Sequence, residues 1–370
     1  MISGVESPTG RQRTRPGIGP HSVKVLRRAR RRARYRDARP ELGPDSGQVR
    51  LPDGRMLGYD DLGDPQGTPI LFFHGFGSSR VVRHPDDAIA VAAGARIIAV
   101  DRPGIGLSSR QPNRRLTDWP RDVLALIDHL GLGRVAIAAW SGGGPYALAT
   151  AWQFPDRISA VGVISCPAPL GGVPGVDRYT YRRHRAMAKA ANYAPWVFAV
   201  AMWHFSRQQK SDPEKQLDAA IAGMVAADRE ILGDPRLRAV MIANAAEMYR
   251  QGNGGIYDEA LCMARPWGFP LAGVTVPVRI WHGAKDQAVP VGMGKYLARS
   301  VPTAIATFYP REGHHFVYER WREILSVLVA EAEAPKGRNL PAGESSSDGD
   351  PTLLHASGAT LEPSERPRQD

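Results

Sequence analysis

The stretch 135–144, Val-Ala-Ile-Ala-Ala-Trp-Ser-Gly-Gly-Gly, decides how the fold of this chain is interpreted. The apolar run over 134–139 predicts a short buried strand, and the Ala-rich segment from Gly144 predicts a helix. Between them lies Ser141, with small residues two positions to either side. A sharp strand-to-helix turn that lifts a hydroxyl above a sheet needs such residues, because neighbouring backbone passes closely. Ala139 stands where glycine is usual, and the motif alone also fits a Gly-rich loop without chemistry.

Outward from this turn, strand-like and helix-like segments alternate, which is typical of a mostly parallel sheet flanked by helices. A hairpin comes first, with strands at 48–51 and 56–60. The short apolar runs that predict buried strands are 69–73, 96–100, 134–139, 161–165, 278–281 and 304–308. The helical segments are 86–93, 117–130, 144–154, 292–300 and 317–331. The fold class predicted from this order is α/β.

The alternation breaks over residues 167–269, which are Ala-rich, have helical periodicity and contain no convincing strand. We interpret this segment as a helical cap inserted between two parts of the core, 46–166 and 270–334. Five large apolar residues stand close together in it: Trp196, Phe198, Met202, Trp203 and Phe205. Core packing is the preferred interpretation of this group, and a substrate-lining or membrane-touching role is the alternative.

Both ends of the chain differ in composition from the body. The net charge is +11, of which residues 1–45 supply +8 through twelve basic and four acidic side chains. We expect this basic extension to be disordered and without a selected function. Contact with nucleic acid or an anionic membrane is the alternative that its charge leaves open. Residues 335–370, rich in Gly, Ser, Pro, Asp and Glu, are expected to form a disordered tail.

The composition, 43% hydrophobic and 23% charged, is that of a soluble globular protein. No stretch approaches the roughly 20 apolar residues that span a bilayer, and the N-terminus lacks the apolar segment of a secretory signal. A cytoplasmic location is therefore the expectation. Cys166 and Cys262 have no metal-ligand spacing and are expected to be buried reduced thiols, with a single disulfide between them left open.

A serine nucleophile needs a general base that a carboxylate orients. Asp286 follows a buried strand, and His314 lies in a turn between the last strand and the last helix. The neighbouring His315 is the less favoured base, because His314 directly follows a glycine and has the freer approach. The strand before the insertion ends at Ser165 and Cys166, where no carboxylate is available, which favours Asp286 as the acid. A surface turn residue is the alternative for Asp286.

A second loop supplies candidates for stabilising an oxyanion. The strand that ends at Phe73 runs into residues 74–79, His-Gly-Phe-Gly-Ser-Ser. Two fixed backbone N–H donors stabilise the negative oxygen of a tetrahedral intermediate, and we assign the N–H groups of Phe76 and Gly142 to this role. For His74 we expect a structural role in the loop rather than service as a base.

These segments together resemble the α/β-hydrolase superfamily over roughly residues 46–334. The matching pieces, in the family's order, are His74-Gly75-Phe76, Asp101 to Ser108, the turn around Ser141, Gly283 to Asp286 and Gly313-His314. The resemblance implies an α/β-hydrolase fold with an eight-stranded sheet, a helical cap and no cofactor or metal. It implies that Ser141, Asp286 and His314 form the catalytic triad, because the family's order along the chain is serine, acid, histidine.

The resemblance narrows the substrate without fixing it, because this fold supports many reactions. Dehalogenases and epoxide hydrolases of this type use an aspartate nucleophile, whereas this chain has Ser141. A small or medium carboxylic ester with an apolar portion is the favoured substrate. The alternatives are a serine C–C bond hydrolase, a peptidase or a perhydrolase with the same triad, and a non-catalytic ligand-binding protein on the same fold.

Overall fold

The structure, a computed structural model, describes residues 45–170, 182–334 and 352–355. The basic extension apart from Asp45, eleven residues of the insertion and most of the predicted tail therefore lie outside the described residues. The predictions of disorder over 1–44, 335–351 and 356–370 concern residues outside this part of the chain.

Nine strands form one sheet. They are β1 (Ser46–Arg50), β2 (Met56–Gly63), β3 (Thr68–Phe73), β4 (Ala95–Val100), β5 (Val135–Trp140), β6 (Ile158–Ile164), β7 (Val278–Gly283), β8 (Ala304–Tyr309) and β9 (Thr352–His355). Their order is β1-β2-β4-β3-β5-β6-β7-β8-β9. Strands β3 to β8 run parallel, and the hairpin at one edge and β9 at the other pair antiparallel. Every strand predicted from an apolar run is present, and the α/β-hydrolase fold class is confirmed.

Eleven α-helices are described. They are α1 (Ala88–Ala92), α2 (Trp119–His129), α3 (Gly144–Gln153), α4 (Arg182–Tyr193), α5 (Pro195–Ser211), α6 (Pro213–Ala222), α7 (Ala226–Ile231), α8 (Pro235–Glu247), α9 (Gly254–Ala264), α10 (Val291–Ser300) and α11 (Trp321–Glu333). Helices α4 to α9 belong to residues 167–269, hereafter the helical insertion, whose described residues contain no strand. The last helix begins later than predicted, because Val317 to Arg320 are turn residues. The N–H groups of residues 318–320 bond to the carbonyls of His315 and Phe316.

The core occupies both faces of the sheet, as the unbroken apolar strands require. In β5, Val135, Ile137 and Ala139 face one cluster, which includes Trp119 and Tyr146 from α2 and α3. The alternate residues, among them Trp140, face a second cluster that contains side chains of α11. Each fully buried Leu, Ile or Phe in these layers contributes about 1.5–3 kcal/mol relative to exposure, so the sheet is a rigid base for the loops at its carboxyl edge.

The strand order of the parallel sheet changes direction at β3, which lies between β4 and β5. Strand β4 pairs with one side of β3, and β5 pairs with the other. Loops that leave the carboxyl ends of parallel strands at such a switch point diverge and form a crevice where ligands bind. The loops after β3 and β5 carry Phe76 and Ser141, so the topology itself brings these two segments together.

Two expectations for single segments need correction. Thr352–His355 lies within the predicted disordered tail, yet it forms β9 against β8, so that expectation is wrong for these four residues. In α5, Phe198 and Met202 are buried as expected, whereas Trp196 and Trp203 are exposed. Core packing is therefore the wrong interpretation for these two tryptophans, because they lie on the opposite side of the helix. The side chain of Phe205 lies outside those described.

Both cysteines, Cys166 and Cys262, are buried free thiols, as predicted. Burial raises the pKa of both, so they are unreactive as thiolates. Within the described residues, no helix combines the length and the apolar character needed to cross a bilayer.

Candidate active site

Ser141 occupies a strained turn between β5 and α3. Its φ is +51°, in the left-handed region that L side chains rarely adopt. The cost of such a conformation is on the order of 1–3 kcal/mol and is tolerated where surrounding structure imposes it. The turn leaves Ser141 half-buried, between Trp140, which is 5% exposed, and the buried helix start at Gly144. The strand-to-helix geometry predicted for this residue is present.

The glycines after Ser141 allow neighbouring backbone to approach. A Cβ on Gly142 would lie 2.7 Å from the backbone nitrogen of Phe76, and one on Gly143 would collide with the carbonyl oxygen of Phe73. The loop after β3 therefore packs directly on this turn. The two backbone groups assigned to an oxyanion, Phe76 N–H and Gly142 N–H, belong to segments in direct contact.

His314 and Asp286 are hydrogen-bonded to each other. His314 Nδ1 lies 2.7 Å from Asp286 Oδ2, and the residues follow β8 and β7. The other carboxylate oxygen of Asp286 accepts hydrogen bonds from the N–H groups of Ala288 at 2.8 Å and Val289 at 2.7 Å. These bonds fix the carboxylate, which in turn fixes the imidazole with Nδ1 protonated and Nε2 as the acceptor. Asp286 is thus no surface turn residue: it is 4% exposed.

Opposite charges decide the protonation of this pair. Burial lowers the pKa of His314, but the charge and hydrogen bond of Asp286 and the charge of Asp228 together outweigh it, so the pKa lies above its ordinary value. Burial raises the pKa of Asp286, but the charge and hydrogen bond of His314, with smaller contributions from His282 and the N–H of Val289, together leave it below the ordinary value. Asp286 is consequently ionised at neutral pH, and its charge stabilises the protonated form of the His314 imidazole.

The ring of His314 lies against the turn that carries Ser141. Trp140 and His314 have ring centroids 5.4 Å apart, and Trp140 Nε1–H donates to the carbonyl of His314 at 3.2 Å. The structure therefore brings His314, together with Asp286, against the residue next to Ser141. His315 points to different partners and does not contact Asp286 through a hydrogen bond among those described.

Asp228, in α7 of the helical insertion, binds the backbone of the loop that carries His314 and His315. Its carboxylate accepts hydrogen bonds from the N–H of His314 at 2.9 Å and of His315 at 2.7 Å. A Cβ on Gly313 would collide with this carboxylate, so glycine is required there. Asp228 is 2% exposed. Nothing in the local sequence, Ala-Ala-Asp-Arg-Glu, distinguishes it from a solvated helical acid, and our sequence reasoning missed it.

Arg102, after β4, fastens the loop that contains Phe76. Its guanidinium donates to the carbonyl of Gly75 at 2.8 Å and to that of His74, and it pairs with Glu259 of α9. His74 is fully buried, with Nδ1 bonded to the carbonyl of Gly75 at 2.9 Å. Burial, then the charge of Arg102, holds the pKa of His74 well below its ordinary value. His74 is therefore a neutral structural residue, in agreement with the expectation.

Arg80 forms a second buried ionic group beneath the same loop. Its guanidinium pairs with Asp60 and Asp101 at 2.7 Å each and with Glu247 of α8 at 2.5 Å. Deletion of one member of a buried ion pair costs about 3–5 kcal/mol, because the other charge stays buried. With Arg102 and Glu259, these contacts tie α8 and α9 to the loops after β3 and β4. The sequence did not reveal them, because the partners are more than 140 residues apart.

All five predicted site residues thus lie at the carboxyl edge of the sheet. Asp286 and His314 share a hydrogen bond, Phe76 and Gly142 have adjoining backbone, and Trp140, the chain neighbour of Ser141, contacts the ring of His314. The part of the chain that the structure describes contains no group of three or more His, Cys, Asp or Glu side chains arranged to hold a metal ion.

Comparisons with known proteins agree with this architecture. A family model described as "alpha/beta hydrolase fold" matches residues 68–320. A pimeloyl-[acyl-carrier protein] methyl ester esterase of Chromobacterium violaceum is 27% identical over 272 residues, covering 72% of this chain and 95% of that protein. The crystal structure of a bromoperoxidase from Bacillus anthracis superimposes with a TM-score of 0.59 at 21% identity, over 78% of this chain and 100% of that chain.

A further relative matches over a shorter span. The dihydrolipoyllysine-residue acetyltransferase component of the acetoin cleaving system of Pseudomonas putida is 36% identical over 134 residues. These residues are 34% of this chain and 35% of that protein. The chain thus spans about a third of the length of this relative, and the similarity extends to that part alone.

Proposed function

The chain belongs to the α/β-hydrolase fold family, and from that premise we propose that it is a serine hydrolase that cleaves a carboxylic ester through an acyl-enzyme on Ser141. The observation that carries the proposal is the 2.7 Å hydrogen bond between His314 and Asp286, beside the strained turn of Ser141. A serine hydroxyl is a weak nucleophile without a base, and an ionised acid behind a histidine supplies one.

In the first step, His314 Nε2 accepts the proton of the Ser141 hydroxyl while its oxygen attacks the ester carbonyl carbon. The carbonyl electrons move to oxygen, and the N–H groups of Phe76 and Gly142 donate to this oxyanion. Each such donor is worth about 10²–10³ in rate. Asp286 stabilises the imidazolium that forms, which is why its pKa lies below the ordinary value.

In the second step, the tetrahedral intermediate collapses and the bond to the alcohol oxygen breaks. The imidazolium of His314 returns its proton to the departing alkoxide, which leaves as the alcohol. A water molecule then attacks the acyl group on Ser141, and His314 accepts a proton from it. The second collapse releases the carboxylic acid and restores the serine hydroxyl.

An ester with an apolar portion is the proposed substrate class. Phe76, beside the proposed oxyanion donors, packs against an apolar cluster of the helical insertion that contains Phe198, Met202 and Ile256. A substrate that reaches Ser141 past this cluster meets apolar side chains, and such lining favours an apolar ligand. The similarity to an esterase over nearly its whole length supports the same reaction type.

The proposal is tested by labelling the full chain with a fluorophosphonate, which reacts with an activated serine. Labelling is expected in the wild type and in His129→Ala, an exposed histidine at the end of α2. It should be lost in Ser141→Ala and slowed at least about 10³-fold in His314→Ala. Labelling that persists in Ser141→Ala would sink the nucleophile assignment, and an unlabelled wild type would favour a binding protein on this fold.

A matched substrate panel then distinguishes the type of bond. We expect p-nitrophenyl butyrate to be hydrolysed faster than p-nitrophenyl acetate, and both faster than the corresponding anilide. Hydrolysis of the anilide at a comparable rate would indicate a peptidase instead. If fluorophosphonate labelling is retained but no ester is hydrolysed, the result would favour a C–C bond hydrolase.

A further inference from the structure

Helix α5 of the helical insertion is buried on one side. Phe198, Met202 and Ser206 recur every four residues and are each at most 5% exposed. Phe198 and Met202 pack in a cluster with Ile105 of the core and with residues of α4 and α9. This side anchors the helix, so the orientation of its opposite side is fixed by packing.

The opposite side is also apolar, and its side chains are exposed in the part of the chain that the structure describes. Five residues of the α4–α5 pair form what we call the exposed aromatic stripe: Tyr193, Trp196, Val197, Val200 and Trp203. Their exposed fractions are 86%, 73%, 40%, 61% and 52%. Within α5 they recur at intervals of three and four residues, so they share one face of the helix. They account for five of the six large hydrophobic residues that are exposed in the described chain.

A helix that is apolar on opposite sides needs cover on both. Isolated exposed apolar residues are common on soluble proteins, but a contiguous set marks an interaction surface. Tyrosine and tryptophan combine an apolar ring with a polar N–H or O–H group, and both are enriched where protein meets the interface of a bilayer. The make-up of the exposed aromatic stripe, two Trp and one Tyr with two Val, matches that environment.

Charge selects among the partners that could cover the stripe. Residues 182–211, which span α4 and α5, contain six Lys or Arg and no Asp or Glu. Lys189 and Arg207 are exposed, and the Arg207 guanidinium lies 5.3 Å from the ring centroid of Trp203. In a two-fold dimer, a second copy would bring the same basic segment against this one. An anionic lipid surface attracts each of these cations instead.

We propose that the exposed aromatic stripe, with the basic residues of α4 and α5, docks the protein on an anionic membrane surface. The tryptophan and tyrosine rings enter the headgroup region, and the Lys and Arg side chains pair with lipid phosphates, as in other interfacial amphipathic helices. This surface is separate from Ser141, Asp286 and His314. Membrane binding through this surface does not require ester hydrolysis at Ser141, so the two can be tested independently.

The test is co-sedimentation of the full chain with vesicles of phosphatidylcholine alone and of phosphatidylcholine mixed with phosphatidylglycerol. We expect stronger partitioning onto the anionic vesicles and a decrease with added salt, because surface electrostatic attraction is screened. Trp196→Ser combined with Trp203→Ser should lower the partition coefficient about tenfold or more, because two apolar rings are lost from the interface. Both positions are exposed, so the fold is retained, and circular dichroism checks this.

Matched variants separate the stripe from the rest of the surface. Val200→Ser, on the stripe, should weaken binding, whereas Val91→Ser on α1 changes a valine of similar exposure (52%) elsewhere and should not. Lys189→Glu with Arg207→Glu should weaken binding to anionic vesicles, whereas Arg322→Glu, an exposed arginine of α11, should leave it nearly unchanged. The basic N-terminal extension is the same in all of these chains, so its contribution cancels.

Three outcomes would overturn the proposal. One is that the wild type does not bind anionic vesicles above the level seen with phosphatidylcholine alone. Another is that the double tryptophan variant binds as tightly as the wild type, which would place the membrane contact elsewhere, for example in the basic extension. The third is a wild-type dimer in sedimentation velocity that the double tryptophan variant dissociates, which would make a second copy the occupant.

Discussion

The carboxylate of Asp228 accepts a hydrogen bond from the backbone N–H of His314 at 2.9 Å. Asp228 belongs to α7 of the helical insertion, and His314 follows the last parallel strand of the core, 86 residues away in sequence. The insertion therefore takes part in placing the proposed general base. It does so through the backbone, which leaves the imidazole free to pair with Asp286.

Removal of the Asp228 charge should alter both the rate and its pH dependence. Asp228→Asn replaces one acceptor oxygen by an amide that faces an N–H donor, so one of the two loop hydrogen bonds is lost. Loss of a charge-assisted hydrogen bond worth about 1.5–3 kcal/mol predicts a decrease in kcat of roughly ten- to a hundredfold. The acid limb of the kcat/KM profile should also move to lower pH, because Asp228 helps to raise the pKa of His314.

The pH profile distinguishes positioning from general destabilisation. Four titratable groups face His314: Asp286, Asp228, His282 and His315. Loss of folded enzyme alone would lower kcat/KM at every pH without moving the midpoint of the acid limb. Asp218→Asn, an exposed carboxylate of α6, is the matched control and should retain the wild-type profile. An unshifted acid limb in Asp228→Asn would contradict an electrostatic role for Asp228.

Gly142→Ala should impair catalysis through the backbone of Phe76. The new Cβ would lie 2.7 Å from the nitrogen of Phe76, so the loop after β3 must shift. Loss of one oxyanion donor predicts a decrease in kcat of about 10²–10³ with a smaller change in KM. Gly133→Ala is the control, because its Cβ would meet nothing within 4 Å and its φ is not positive. A Gly142→Ala enzyme with wild-type kcat would remove Phe76 N–H and Gly142 N–H from the oxyanion assignment.

Much of this architecture follows from local sequence signals. Buried parallel strands are short apolar runs, and β5, from Val135 to Trp140, was predicted within one residue at each end. The turn at Ser141 could be predicted because the residues after it must be small enough for neighbouring backbone to approach. In the structure, the backbone of Phe73 and Phe76 lies directly against them. Asp286 and His314 were identified because each follows a predicted strand and because their order after Ser141 matches that of the family which the sequence resembles.

The residues that the sequence did not reveal act across long separations. Arg80 and Glu247, and likewise Arg102 and Glu259, are buried ion pairs whose partners no local pattern connects. Trp196 was misassigned for a related reason. Helical periodicity reveals that a helix has apolar faces, but it does not reveal which face the rest of the fold covers.

Asp286→Asn should lower kcat strongly and shift the pH dependence of the reaction. Without the carboxylate, the imidazole of His314 loses its orientation and the stabilisation of its charged form, which predicts a decrease on the order of 10³–10⁴-fold. Because Asp286 raises the pKa of His314, the wild-type acid limb should have its midpoint above the ordinary histidine value of about 6.5.

The residual activity of Asp286→Asn should then fall away only at lower pH than in the wild type, since the neutral imidazole persists further into acid. The measurement is kcat/KM for a p-nitrophenyl ester across the acid limb in both enzymes. Asp128→Asn, an exposed carboxylate of α2, controls for charge removal as such. A variant whose acid limb lies at higher pH than that of the wild type would be inconsistent with the Asp286–His314 pair.

Because the backbone at Ser141 is strained, replacing the serine by glycine or by alanine should change the free energy of unfolding by different amounts. Glycine adopts a φ of +51° at no steric cost, whereas alanine keeps the Cβ that makes this conformation unfavourable. Ser141→Gly should therefore exceed Ser141→Ala in free energy of unfolding by about 1 kcal/mol, although both enzymes lack the hydroxyl and should be inactive. Urea denaturation of the two variants measures the difference. An equal or lower stability of Ser141→Gly would mean that the turn stores no strain, and the geometry at Ser141 would then have to be imposed by its glycine neighbours alone.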